Sequence, residues 1–267
     1  MPFLKTNNIN FFYEWHGNPL LPPLVFISGY TCDHSMWDPL LPFLKDSYRI
    51  LTFDNQGIGK TQAQNDALLP EIMADNIFDL IQTLEVKSPI LVGYAMGSTL
   101  AQEIAIKHGY DISRLILINS VAKWSTSAIA DVEKLIKLRK ENRLEAMFGL
   151  LYDIAFSTQY KKNTSKNDFI KQNKSIESPV IQSITDQERQ SAVLKQFDSR
   201  NRLSQIATKT LIISAKEDPL GTEEDATQLA HGIPNAIHKS ICTGHASIYE
   251  QPQQISEIIL KFTNPIA

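Results

Sequence analysis

Five short runs of mostly apolar residues, each closed by turn-forming residues, constrain this chain more than any other feature. Leu24-Val25-Phe26-Ile27 runs into Ser28-Gly29, and Arg49-Ile50-Leu51-Thr52-Phe53 into Asp54-Asn55-Gln56-Gly57. Pro89-Ile90-Leu91-Val92 ends at Gly93, Leu115-Ile116-Leu117-Ile118 at Asn119-Ser120, and Thr210-Leu211-Ile212-Ile213 at Ser214-Ala215. A half-exposed strand alternates apolar and polar residues; these runs do not, so both faces must be covered, as in a parallel sheet. Helical patterns over residues 69–84 and 99–108 fall between the runs. That alternation predicts an α/β architecture with a parallel central sheet and right-handed crossovers. Residues 9–15 read as a strand of a leading antiparallel hairpin.

The rhythm breaks over residues 121–203, which lack strand-like runs and carry helical segments such as 128–140 and 143–156. An insertion between two strands of such a sheet lies over the strand C-termini, where open α/β sheets bind ligands. The expected division is therefore a body of residues 1–120 and 204–267 with a helical cap of residues 121–203. The cap holds 15 Lys and Arg against 10 Asp and Glu, whereas the rest holds 11 against 19. The overall charge of −3 argues against a nucleic-acid partner. No run approaches the roughly 18 apolar residues of a membrane span. Residues 1–9 show no basic segment followed by an apolar one, so a cytoplasmic location is expected. Cys32 and Cys242 are too few for a disulfide framework or a metal site, and two buried thiols near the site are expected.

The segment Gly93-Tyr94-Ala95-Met96-Gly97 follows a strand and opens a helix. It has the G-x-S-x-G frame of a nucleophile elbow, with alanine at the centre. In such an elbow the central residue occupies a strained strand-to-helix turn, so the positions two before and two after must be glycine to avoid clashes. The turn lifts the central side chain above the sheet and aims the following backbone N–H at a developing oxyanion. Ala95 has no hydroxyl to use that position. The simplest reading is a functional serine replaced by alanine, leaving a chain that should not turn over; a non-catalytic binding protein is the alternative.

The partners of such a nucleophile are in place. Asp218, in Lys216-Glu217-Asp218-Pro219-Leu220, lies on the loop after a strand and is preferred over Glu217 as the orienting carboxylate. His245, in Cys242-Thr243-Gly244-His245-Ala246, is a histidine after a glycine on a loop, followed by Glu250-Gln251-Pro252. Of the other histidines, His108 and His231 end helices and His16 is expected in a hairpin turn, while His34 lies in the loop expected to supply an oxyanion donor. An oxyanion hole needs two fixed N–H donors. Met96 supplies one and Tyr30, in Ser28-Gly29-Tyr30-Thr31, the other; the Tyr30 ring either walls the acyl pocket or packs in the core. Phe148, Leu151, Tyr152 and Phe156 form an apolar stripe at helical spacing. The stripe serves either cap packing or an acyl pocket, and Trp37, Phe148 and Tyr152 join Tyr30 as candidate substrate contacts.

Taken in order, Phe26-Ile27-Ser28-Gly29, Asp54-Asn55-Gln56-Gly57-Ile58-Gly59, the elbow, Asp218 and Gly244-His245 resemble the α/β-hydrolase superfamily over nearly the whole chain. The order nucleophile, acid, base is also that superfamily's. Met36-Trp37-Asp38-Pro39 and Leu117-Ile118-Asn119-Ser120 look like the branch of 3-oxoadipate enol-lactonases and pimeloyl-carrier-protein methyl ester esterases. Ser28 stands where a histidine is usual before Gly29, and Asn55-Gln56 where an arginine is common before Gly57. The resemblance implies a serine-type ester hydrolase needing no metal or organic cofactor. In the serine form His245 would take the hydroxyl proton, Asp218 would hold its tautomer, and an acyl-enzyme would form and hydrolyse. A methyl or similar short alkyl ester of a medium-chain acyl group, as in biotin synthesis, is the expected substrate. The basic cap would dock it if it is borne on an acidic acyl-carrier protein. A lactone or other small carboxylate substrate is the rival expectation.

Overall fold

Eight strands form one sheet in the order β1-β2-β4-β3-β5-β6-β7-β8 in a computed structural model that describes residues 3–6, 9–62, 68–175 and 182–263. They are β1 (Phe3–Thr6), β2 (Ile9–His16), β3 (Pro23–Ile27), β4 (Arg49–Phe53), β5 (Ile90–Tyr94), β6 (Arg114–Ile118), β7 (Thr210–Ala215) and β8 (Ala236–Ile241). The hairpin β1–β2 runs antiparallel and joins the sheet on β4; every pairing from β4 to β8 is parallel. The chain is thus an α/β-hydrolase fold with a mostly parallel sheet.

The five apolar runs fall on β3 to β7, five of the six interior strands. β5 and β7 are buried at every residue. Helices cover both faces: α1 (Leu41–Leu44), α2 (Pro70–Thr83) and α3 (Met96–His108), then α9 (Glu223–Gly232), α10 (Ser247–Glu250) and α11 (Pro252–Thr263) after the insertion. Between β6 and β7 the described residues hold α4 (Thr126–Lys140), α5 (Leu144–Ala155), α6 (Thr158–Asn163), α7 (Lys166–Ser175) and α8 (Ile184–Gln196), and no strand. Residues 176–181 of the expected cap, and parts of the 1–9 segment read for targeting, lie outside the described residues. No described helix is long and apolar enough to cross a membrane.

Two expectations are corrected here. His16 closes β2 rather than a turn, with Nε2 3.1 Å from Thr52 Oγ1 across the β2–β4 pair. Trp37, expected at the substrate, is fully buried; it stacks on Phe26 with ring centroids 4.2 Å apart and donates Nε1–H to Ser28 Oγ at 2.9 Å. A stacked aromatic pair of this kind adds about 0.5–1.5 kcal/mol beyond its area burial. Trp37 therefore holds the Ser28 end of the β3 loop and contributes no pocket wall.

The inserted helices are bonded firmly to the body. Arg202, just beyond α8, makes a two-pronged pair with the buried Glu103 of α3, each N–O distance 2.6 Å. Ser199 Oγ donates to Gln102 Oε1 at 2.8 Å, and Gln102 Nε2 reaches Ser120 Oγ and the Val121 carbonyl. Gln190 of α8 is fully buried: its Oε1 accepts the Thr31 N–H at 3.2 Å, and its Nε2 donates to the Gln56 carbonyl at 2.9 Å. Amide side chains suit this task because each offers both a donor and an acceptor.

Candidate active site

Ala95 sits between β5 and α3 at φ 49, ψ −115, a conformation that costs an L-residue about 1–3 kcal/mol. Its flanking glycines are required by contact. A Cβ on Gly93 would lie 2.5 Å from the Gly97 carbonyl oxygen and from Ser98 Cα, and one on Gly97 would lie 1.9 Å from the Ile27 carbonyl oxygen. The turn is pressed directly against the end of β3. Ala95 N–H bonds the Ile118 carbonyl at 3.0 Å, fixing the elbow to β6 as well.

Asp218 and His245 are brought together. The His245 Nδ1–H donates to Asp218 Oδ2 at 2.7 Å, so a neutral ring presents Nε2 as an acceptor. The other carboxylate oxygen accepts the N–H groups of Leu220 at 2.8 Å and Gly221 at 3.1 Å, which leaves the acid one orientation. Glu217, the rival acid, points elsewhere: it accepts the Thr158 N–H at 2.8 Å and its Oγ1–H at 2.6 Å, and these bonds hold its carboxyl below the ordinary value. The His245 side chain is 14% exposed.

Two residues that the sequence reading missed set the His245 backbone. Tyr94, next to Ala95, donates its hydroxyl to the His245 carbonyl, and its ring centroid lies 5.4 Å from the imidazole. Asn119 Nδ2 donates to the same carbonyl at 2.7 Å. Asn119 adopts φ 50 at the end of β6, a left-handed conformation that asparagine tolerates better than most residues. A polar residue directly after a buried apolar strand was the available signal for it.

Met96 is the first residue of α3, where a backbone N–H has no helical partner. Among the described residues neither its N–H nor that of Tyr30 has an acceptor. The Tyr30 hydroxyl donates to the Gln187 carbonyl of α8 at 3.2 Å, and burial raises its pKa. Its ring therefore joins body to insertion, the packing alternative. Tyr152 is likewise a packing residue: it clusters with Phe156, Phe169 and Tyr160 and donates its hydroxyl to the Thr164 carbonyl, which corrects its expected place at the substrate. Phe148, on the same helix, is half-buried. Cys32 is half-buried, its thiol pushed up to about 12 by burial and by Asp33; Cys242, expected buried, is exposed.

Asp33, His34 and Asp54 bring ligand-type atoms within 4.8 Å of one another. Three of their carboxylate oxygens already accept hydrogen bonds. Asp54 Oδ1 accepts His34 N–H at 2.9 Å and Nδ1–H at 2.6 Å, Asp54 Oδ2 accepts Lys60 N–H at 2.8 Å, and Asp33 Oδ1 accepts from Ser35. The cluster staples the β3 and β4 loops together. The Asp54 contact raises the His34 pKa above 6.5. Its charged form stabilises fully below the unfolded pKa of about 6.5, and that contribution fades as pH rises through the folded value. Charge-assisted hydrogen bonds are roughly twice as strong as neutral ones. The Tm deficit of His34→Gln should accordingly be about twofold larger at pH 5.5 than at pH 8.5; equal deficits would show that His34 does not change charge between them.

A family model described as alpha/beta hydrolase fold matches residues 22–252. The 3-oxoadipate enol-lactonase 1 of Acinetobacter baylyi is 27% identical over 92% of this chain and 90% of its own. A putative carbamate hydrolase of Agrobacterium fabrum is 25% identical over 95% and 98%. Among solved structures, an alpha/beta hydrolase enzyme from a Medee basin deep-sea metagenome library superposes with a TM-score of 0.90 at 22% identity, covering 99% of this chain and 98% of its own. The chain therefore belongs to the alpha/beta hydrolase fold family.

Proposed function

We propose that this chain carries the site of a carboxylic ester hydrolase in which Ala95 occupies the nucleophile's position. His245 is the general base and acid, Asp218 fixes its tautomer, and the N–H groups of Met96 and Tyr30 face the oxyanion. The observation that carries this reading is the His245–Asp218 pair, oriented by backbone donors, beside a turn whose strain benefits only a reactive side chain at residue 95. With a hydroxyl there, Oγ attacks the carbonyl carbon as its proton passes to His245 Nε2, and that proton then leaves with the alcohol. Water repeats the sequence and releases the acid. With alanine the covalent route is closed.

For the substrate we favour a free short alkyl ester of a medium-chain acyl group, with Phe148 as the candidate wall. Pairing of several cap cations weakens the case for a carrier-borne ester. Lys140 pairs with Glu188 at 2.6 Å, Lys195 with Glu133 at 2.7 Å and Lys166 with Asp153 at 2.5 Å, while Arg139 turns inward to Gln187 and Gln182. A lactone is the second reading, favoured by the relative named enol-lactonase.

A fluorophosphonate tests the chemistry without presuming the ester. Ala95→Ser is expected to gain a single covalent adduct by intact mass within minutes, and the parent chain none. A folded serine form that stays unlabelled overturns the assignment.

A further inference from the structure

The histidine loop is held from outside the body by the start of α6. Glu250, the last residue of α10, reaches back so that its Oε1 accepts the N–H of Gly244 at 3.1 Å and the N–H of Ser157 at 2.9 Å. Its Oε2 accepts the Ser157 hydroxyl. On the other side of His245, the Ala246 N–H bonds the Ala155 carbonyl at 2.7 Å. Both residues flanking His245 are thus tied to the single stretch of residues 155–157. The contact leaves no slack: a Cβ on Gly244 would lie 2.6 Å from the Ala155 carbonyl oxygen and from Ser157 N.

We propose that Glu250 is a positioning residue for His245, and that through it the inserted helices set the aim of the base. The kinetic part of this proposal rests on the esterase reading above. Contacts from Asn119 and Tyr94 to the His245 carbonyl, with the Ala246 N–H bond to the Ala155 carbonyl, fix the loop on the C-terminal side of His245 and leave its N-terminal side to be held. The Glu250 carboxylate supplies the second point, at Gly244. Two fixed points define the direction in which the imidazole projects, and a displacement near 1 Å costs on the order of 100-fold in rate. A carboxylate suits the position because it accepts from three donors at once without offering one. Glutamine can replace it, its oxygen taking both N–H groups and its amide donating to the Ser157 hydroxyl.

Two measurements separate this proposal from the reading beneath it. The first uses the chain as it stands, with alanine at position 95, and follows the His245 Nδ1–H proton by NMR, assigned by its loss in His245→Gln. That resonance, far downfield through its bond to Asp218, should persist in Glu250→Gln and be broadened or lost in Glu250→Ala. The second uses the Ala95→Ser form with p-nitrophenyl butyrate. Glu250→Ala should lower kcat about 10- to 100-fold with KM changed less than threefold, and Glu250→Gln should restore kcat to within about threefold. Glu217→Ala, which also frees α6 but touches no residue beside His245, should stay within threefold of its parent. If Glu250→Ala does not fold, Glu250→Asp, which withdraws the carboxyl by one carbon, carries the same test. An unchanged imidazole proton in the alanine or aspartate variant overturns the proposal even if the serine form proves inert on every ester. An unchanged kcat overturns it where the serine form is active.

Discussion

Serine at position 95 is expected to raise turnover of short- and medium-chain p-nitrophenyl esters on the order of 10⁶-fold over the parent chain. That factor corresponds to about 8 kcal/mol of barrier. Removal of a serine nucleophile usually costs such a factor, and on the proposed reading the rest of the site is already placed for the reverse change. The backbone at residue 95 already has φ 49, the Asp218 carboxylate is already fixed by Leu220 and Gly221, and His245 already gives its Nδ1–H to Asp218. Adding one oxygen to a prepared frame is a smaller change than a typical core substitution, so folding should be unaffected. The parent's residual rate would come from binding and the two oxyanion donors alone. A sharp preference for one acyl length in the serine form would measure the pocket and discriminate the medium-chain ester from a small lactone. If the serine form folds but hydrolyses no ester or lactone, the retained pair serves a binding protein, and ligand screens on the alanine form follow.

How much of this was legible in the sequence depends on whether the controlling interactions are local. Strands β3 to β7 were legible because burial on both faces excludes polar residues and leaves apolar runs. β8 was not: as an edge strand, Ala236-Ile237-His238-Lys239-Ser240-Ile241 is largely exposed and carries polar residues with partners on other elements, His238 with Ser214 and Ser240 with Glu223. The elbow was readable because two glycines at fixed spacing answer a local steric demand. Asp218 and His245 were readable from loop positions after strands. The same logic failed for Trp37 and Tyr152, since an aromatic near a site motif can face either way and only three-dimensional neighbours decide. Both turn into packing. Glu250 lay outside any local signal, because its three donors come from residues 244 and 157 and their meeting depends on how the insertion docks.

Opposite stability changes are expected at two positions only two residues apart in the elbow. Gly97→Ala should lower Tm by roughly 6–12 °C. Its added methyl would meet the Ile27 carbonyl oxygen at 1.9 Å and the Ser28 carbonyl oxygen at 2.6 Å, both backbone atoms that no rotamer change can move. Either α3 retreats from β3 or β3 gives way, and a backbone clash this close lies at the upper end of overpacking costs, about 3 kcal/mol. Chains near this length shift by roughly 2–4 °C per kcal/mol. Ala95→Gly should do the reverse. Relief of about 1–3 kcal/mol of backbone strain exceeds the 0.5–1 kcal/mol that glycine's extra freedom in the unfolded chain costs. A net gain near 1 kcal/mol gives a Tm rise of about 2–4 °C by differential scanning fluorimetry. The pair of results would separate two parts of the elbow: close helix–strand packing that the fold requires, and strain at residue 95 that the fold does not. A neutral or destabilising Ala95→Gly would mean that the turn stores no strain. Position 95 would then offer no stored strain as a reason to present a reactive group, whatever the serine form does.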